Sequence, residues 1–252
     1  MESKHASFGA RLRNGDAMMG TFLKTPSPIM AEILALSDLD VIAIDAEHAP
    51  FGRLEMDACI AAFRAADMPC LVRLSSDSPT DIRNALDCGA TGIVVPHVTT
   101  AEQAAAIVKA AHFGDGGRGF AGSPRSAEYT RKTMTDHMQE SREQTTVVVQ
   151  IEDVAALENV AQIAAVDGVD CIFVGRVDLA VGLQKAVSDD ELIATVQDIC
   201  AAGQAASTSV GMFTPNLDEL PDWQQRGANL FLLSSDQSIV LAGANNLAQT
   251  IR

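Results

Sequence analysis

Val41-Ile-Ala-Ile-Asp-Ala-Glu-His48 passes from four apolar residues into two carboxylates and an imidazole. A continuous apolar run of that length suits a parallel strand covered on both faces, and the polar residues then mark its carboxyl end. The pattern recurs in both directions along the chain. Strands are expected at Met18–Leu23, Val41–Ile44, Cys70–Leu74, Gly92–Val95, Thr146–Ile151, Cys171–Val174, Ser207–Met212 and Asn229–Leu233. Between them lie helical patterns at Pro28–Ser37, Arg53–Ala66, Pro79–Cys88, Thr100–His112, Val154–Val166, Asp189–Ala202, Asp218–Arg226 and Gln237–Gln249. Thr100-Ala-Glu-Gln103 and Ser188-Asp-Asp-Glu191 read as capping boxes at two of the helix starts. Strand–helix alternation with short connections predicts a parallel sheet. Eight such units predict an α/β protein whose sheet closes into a single (β/α)8 TIM barrel over residues 1–252.

Composition narrows the function. The net charge is −15, from 33 acidic and 18 basic residues, which argues against a nucleic-acid partner needing a basic stripe. The five cysteines are an odd number, widely spaced and without a CxxC pair, so they read as reduced small hydrophobes. No apolar run approaches the roughly 18 residues of a membrane span, and the start of the chain lacks a basic-then-apolar signal pattern. A cytoplasmic location with no membrane partner is the expectation. One stretch, Gly114–Glu143, breaks the alternation as a long Gly- and charge-rich loop, and a loop of that length in a compact domain is commonly functional or disordered. Its Gly114-Asp-Gly116-Gly-Arg-Gly119 is a formal GxGxxG match, but it follows a helix and so lacks the dinucleotide-binding context.

Barrel chemistry gathers where strands end at the carboxyl face. The residues there are Asp45, Glu47 and His48, then Arg73, His97, Gln150, Glu152 and Asp153, the run Gly175-Arg-Val-Asp178, and Ser234-Ser-Asp236. Glu152 and Asp178 could hold a hard, oxygen-loving cation of the Mg2+ or Mn2+ kind, which a 2-oxo acid can also chelate; solvated loop acids are the plain alternative. Asp45 lies three residues before His48, the spacing of a carboxylate orienting an imidazole base, although a rim histidine bonded to a backbone carbonyl fits as well. Arg73, after an apolar run, calls for an anionic partner: Asp87 or Glu47 structurally, or a substrate oxyanion. His97 reads as lining the site, and His5, His112 and His137 as surface residues. No lysine falls inside an apolar strand, which disfavours Schiff-base chemistry.

In combination these residues resemble the HpcH/HpaI aldolases, the family of 4-hydroxy-2-oxoheptanedioate and 2-dehydro-3-deoxyglucarate aldolases. The resemblance is carried by Asp45-Ala-Glu-His-Ala-Pro50, Leu71-Val-Arg73, Leu86-Asp-Cys-Gly-Ala90, Val94-Val-Pro96, Arg118-Gly119 with Arg125 and Tyr129, Gln150-Ile-Glu152 and Phe173-Val-Gly175-Arg-Val-Asp178-Leu179. It runs from about Gly9 to the end of the chain. It implies a last helix exchanged between subunits of a homo-oligomer, trimer or hexamer, and a divalent metal, Mg2+ or Mn2+ with Co2+ and Zn2+ as alternatives, on Glu152 and Asp178. It implies Arg73 at the pyruvate oxo group, His48 as acid–base residue with Asp45 and Asp87 as acidic companions, and Gln150 on the substrate side. Gly175 and the amides of Val177 and Asp178 would receive the pyruvate carboxylate.

The implied activity is reversible retro-aldol cleavage of a 4-hydroxy-2-oxo acid to pyruvate and an aldehyde. Where the family commonly has proline, this chain has Arg176, a cation that pairs with an acid such as Asp153, points to solvent, or favours an anionic acceptor. The Gly114–Glu143 loop aligns with the family's Arg-Gly segment. An acyl-CoA lyase of the malyl or citramalyl type is the alternative enzyme, and it would need a basic surface for the CoA phosphates. A catalytically silent oligomeric barrel is the alternative outside enzymes.

Overall fold

The computed structural model describes residues 3–250. Eight parallel strands close on themselves in chain order: β1 (Met18–Leu23), β2 (Val41–Asp45), β3 (Cys70–Arg73), β4 (Gly92–Val95), β5 (Thr146–Ile151), β6 (Cys171–Val174), β7 (Ser209–Phe213) and β8 (Ala228–Ser235), with β8 pairing β1. The helices are α1 (Lys4–Arg13), α2 (Pro28–Ala35), α3 (Arg53–Ala65), α4 (Pro79–Cys88), α5 (Ala101–Ala111), α6 (Met134–Gln144), α7 (Val160–Ala164), α8 (Arg176–Leu183), α9 (Asp190–Ala206), α10 (Leu220–Gln225) and α11 (Asp236–Thr250). This is the (β/α)8 barrel that the alternation predicts.

Side chains alternate across each strand with a period of two, and the barrel sorts them into two cores. Ile42, Ile44, Val72, Val147, Val149 and Ile172 face outward and pack against the helices. Val41, Ala43, Leu71, Val148, Cys171 and Phe173 face inward, where Phe8 and Leu12 of α1 join them. The axis is therefore filled, not hollow. All five cysteines are free and buried, and burial pushes the Cys70 and Cys171 thiols far above the ordinary range, in keeping with inert small hydrophobes.

Several boundaries differ from expectation for physical reasons. The expected helix Val154–Val166 is a 3-10 turn over Val154–Asn159 followed by the short α7, and Asp218–Arg226 is likewise a 3-10 turn over Leu217–Glu219 before α10. Strand β7 begins at Ser209, because α9 continues to Ala206 and ends on Ser207 in the left-handed region at φ 58°. Thr100 does cap α5 through the Gln103 amide, whereas the cap of α9 is Asp189 and not Ser188. Part of the long 114–143 segment is ordered as a 3-10 turn at Arg125–Ala127 and as α6, whose mostly polar sequence hid it. Helices α1 and α8 are additions to the expected set.

The surface reading of three histidines is corrected. His137 is 3% exposed, packed edge-on against Phe113 with centroids 5.1 Å apart, and His112 and His5 are half-buried. His5 sits between Arg64 Nη1 at 3.3 Å and Thr91 Oγ1 at 2.9 Å. Burial and the Arg64 charge push its pKa from 6.5 down to about 4. The unfolded chain then takes up a proton before the folded chain does. The stability that neutral His5 contributes is complete above pH 6.5 and is lost as pH falls from 6.5 towards 4. Urea melts of wild type and His5→Gln across that window should show a shallower acid loss in the variant. Equal slopes would remove His5 from the account.

No helix among the described residues is long and apolar enough to cross a membrane. Helix α11 is exposed along its length beyond Asp236, including Ile239, Val240, Leu241 and Leu247 at 48–73% exposure. Its tether is Asp236, a buried carboxylate accepting from the Lys24 amide at 2.7 Å and the Thr25 amide at 3.1 Å.

Candidate active site

Strand parity selects the site. The inward face of β2 runs from Val41 and Ala43 to Asp45, that of β3 from Leu71 to Arg73, and that of β5 from Val148 to Gln150 and on to Glu152. On β1 it leads through Met18 and Phe22 to Lys24, and on β6 through Cys171 and Phe173 to Gly175. These ends surround a pocket of about 400 Å3, lined by Lys24, His48, Arg73, Gln150, Gly175 and Asp178 among polar and backbone groups. The rings of Phe22, Phe173 and Phe213 supply its apolar lining.

Asp45 anchors the cationic side. It is fully buried, accepts from Arg73 Nε at 3.0 Å, and lies 2.9 Å from Arg73 Nη2 and 3.1 Å from Lys24 Nζ. Burial alone would raise its pKa; the bond and charge of Arg73, with smaller help from the His48 amide and Lys24, hold it below the ordinary value. Arg73 is stacked 4.6 Å over the Phe22 ring and also faces Glu47 Oε2 at 3.3 Å. Its structural partners are therefore Asp45 and Glu47. The expected Asp45–His48 contact takes another form: the carboxylate accepts from the backbone amide of His48 at 3.1 Å and so shapes the turn. The imidazole itself is 59% exposed, lines the pocket, and lies 3.7 Å from Glu47 Oε2.

Glu152 anchors the other side. It is 3% exposed, accepts from the His97 amide at 2.9 Å and from the Gln150 side-chain amide, and burial raises its pKa. His97 stands in the left-handed region at φ 56° with Nδ1 3.3 Å from Glu152 and 3.1 Å from Asp153, and Nε2 3.6 Å from Glu47. Burial would lower its pKa, but Glu152, Asp153 and Glu47 raise it on balance. Glu47, His97 and Glu152 thus bring three ligand atoms within 4.8 Å of one another. A divalent cation fits this set: two carboxylates and an imidazole converge, and among the described residues buried Gln150 Oε1 beside them has no hydrogen-bond partner. Gly175 is needed where it stands, since a Cβ there would lie 2.5 Å from Glu152 Cβ and 2.9 Å from its Oε2.

Asp178 lines the pocket from the first turn of α8 and is exposed; it is not part of the three-residue cluster. Val177 shares that turn, where amides have no intrahelical acceptor and attract anions. Asp87 stays outside the pocket, on α4, where Arg118 Nη2 holds it at 2.5 Å. Arg176 pairs with Glu219 at 2.7 Å and lies 4.9 Å over the Trp223 ring, so its acidic partner is Glu219 and not Asp153. Glu47, His97 and Lys24 have larger parts than their sequence positions indicated. For Lys24 a usable signal was present, because it falls on the inward parity one residue past β1.

A sequence model of the HpcH/HpaI aldolase/citrate lyase family matches residues 18–242. The hydroxypyruvate/pyruvate aldolase of Paraburkholderia phytofirmans is 30% identical over 252 aligned residues, covering 96% of each chain. The 4-hydroxy-2-oxovalerate aldolase of Rhodococcus jostii is 33% identical, covering 98% of this chain and 96% of its own. The crystal structure of an HpcH/HpaI aldolase/citrate lyase family protein from Burkholderia cenocepacia superposes with a TM-score of 0.92 at 32% identity, covering 98% and 99% of the two chains.

Proposed function

The chain belongs to the HpcH/HpaI aldolase/citrate lyase family, and on that premise we propose that it is a metal-assisted pyruvate aldolase cleaving 4-hydroxy-2-oxo acids to pyruvate and an aldehyde. The protein is a carbon–carbon lyase, as its relatives named as aldolases are. The observation that carries the reading is the convergence of Arg73, Gln150 and His48 on one pocket beside the Glu47–His97–Glu152 cluster.

Each group has a task set by its chemistry. The free amides at the start of α8, at Val177 and Asp178, receive the substrate carboxylate. Arg73, preoriented by Asp45 and Glu47, donates to the 2-oxo oxygen and meets the negative charge that grows there as the bond between carbons three and four breaks. His48, exposed to the pocket and free of a carboxylate bond, removes the proton from the 4-hydroxyl as the bond to carbon three breaks, and the enolate left behind takes its proton from water to give pyruvate. Gln150, its Nε2 committed to Glu152, offers Oε1 to the substrate side. The three phenylalanine rings limit water around the enolate. Glu152, with Asp178 or with Glu47 and His97, would hold a divalent cation, Mg2+ or Mn2+ before Co2+ or Zn2+, whose Lewis acidity would act on the 2-oxo acid.

The bare apolar face of α11 supports a homo-oligomer in which this helix docks on a neighbouring subunit. Asp87, which lies outside the lining of its own chain's pocket, then serves an acidic role at a neighbour's site. The deciding experiment supplies a panel of 4-hydroxy-2-oxo acids and a malyl-type thioester, with and without EDTA. Pyruvate and aldehyde should form from the first, stop with EDTA and resume with Mg2+ or Mn2+. Thioester cleavage without any pyruvate from the panel would overturn the aldolase reading.

A further inference from the structure

The end of the barrel opposite the catalytic pocket holds a second recess, bounded by Thr91 just before β4, Thr145 just before β5, α6 and the end of α3. Its volume is about 50 Å3. One water needs roughly 10–15 Å3 by the same measure, so several waters or one tetrahedral ion would fill it. Arg64, Arg118 and Lys132 line it, with Glu140 as the carboxylate among the lining residues. Arg118 and Lys132 have carboxylate partners, and Arg64 is the cation left without one among the described residues.

The donors around the recess are underused. The Arg118 side chain is 2% exposed and spends Nη2 on Asp87, lying 4.6 Å over the Phe113 ring, while its buried Nε has no partner among the described residues. Among the described residues His137, 3% exposed, has no partner for Nε2, and neither does Ser126 Oγ. Arg64 gives Nη1 to the Gly89 carbonyl at 3.3 Å and meets His5, and among the described residues no carboxylate lies within 4.0 Å of it. Lys132 is paired with Glu140 and has Glu128 at 3.8 Å. Buried N–H groups left without acceptors are costly, and an anion with several acceptor oxygens would satisfy them together.

We propose that this recess is a binding site for a small oxyanion of the inorganic phosphate or sulfate class, held by Arg64, Arg118 and Lys132 with His137 and Ser126 completing the contacts. The geometry favours an oxyanion over a halide because the donors come from four directions: α3, the 118–126 segment, Lys132 and α6. A bound anion fastens the 113–133 segment to α3 and the base of β4, so its effect is on the order and stability of that segment. The same anion would raise the pKa of both His5 and His137, which burial and neighbouring cations now depress.

The test uses the full chain and inorganic phosphate, with sulfate as a second probe and sodium chloride at matched ionic strength as the reference. Calorimetry should give saturable phosphate binding and a raised Tm that chloride does not reproduce. Lys132→Met and Arg64→Met should each weaken binding by at least about tenfold, the loss of one charged contact. Histidine NMR titrations should show the His5 and His137 pKa values rising at saturating phosphate. Arg73→Ala should retain the response, which separates this site from the catalytic pocket. Phosphate acting no differently from chloride, undiminished binding in both cation variants, or loss of the response in Arg73→Ala would each overturn the proposal. So would a histidine spectrum unmoved by phosphate in the wild-type protein, whatever the variants do.

Discussion

Glu152→Ala is expected to abolish metal-dependent pyruvate formation while the barrel stays folded. Glu152 is almost wholly buried, and burial raises its pKa, so in the folded chain its charged form is disfavoured relative to water. Removing it takes away an unfavourable buried charge but leaves the His97 amide and Gln150 Nε2 without their acceptor, so the melting temperature should fall modestly while the melt stays cooperative. The lost function follows from chemistry: the Glu47–His97–Glu152 set would keep one carboxylate and one imidazole, too few to hold a hard cation firmly. Bound metal measured by elemental analysis should drop to background together with turnover. Glu47→Ala and Asp178→Ala, run beside it, show which residue completes the set. Wild-type metal affinity in Glu152→Ala would sink the assignment. Acid should mimic the variant. As pH falls through the raised pKa of Glu152, protons displace the metal, and the proton on His97 adds to the competition.

Arg73→Ala and His48→Ala should separate two tasks within one reaction. Loss of Arg73 removes a positioned donor from the developing enolate, typically ~10²–10³-fold in rate. Both aldol cleavage and the simpler exchange of pyruvate methyl protons should fall together. His48→Ala should slow cleavage by roughly 10²–10⁴-fold through the hydroxyl proton transfer and leave exchange less affected. Arg73→Ala also strands Asp45 and Glu47, so Arg73→Lys belongs in the comparison: it keeps a charge but loses the forked geometry. Methyl proton exchange at the wild-type rate in Arg73→Ala would mean the guanidinium does not carry the enolate charge.

The barrel was legible because its strands are apolar on both faces, so runs such as Val41-Ile-Ala-Ile44 stand out without any alternation to decipher. Residues at strand ends were legible for the same reason. Arg73, Gln150 and Glu152 needed only a strand boundary to be placed. His97 was harder to place in a role: its approach to Glu47 and Glu152 depends on a left-handed backbone at a non-glycine residue, which no local pattern announces. Helix α6 is not legible because most of its face is solvated, so it lacks an apolar stripe, and α8 because its apolar residues fall on both sides, Val177 and Val181 exposed and Leu179 and Ala180 buried. The relation of Asp45 to His48 was read from spacing as side chain to side chain. A carboxylate three residues before an amide bonds that backbone just as readily, and here it does.

Phe8 and Leu12 share the inner core with Leu230 and Leu232, and β8 must pair with β1 before the cylinder exists. The first and last parts of the chain are thus mutual requirements. On the ribosome, the segments from α1 to β7 emerge with their inward apolar faces uncovered, and the seam cannot be sealed until residues near Leu232 have been synthesised and released from the exit tunnel. Closure is then a late event across a separation of more than two hundred residues, slow by the general dependence of folding on sequence-distant contacts. During that interval the nascent sheet has open edges, the kind of exposed surface that favours aggregation.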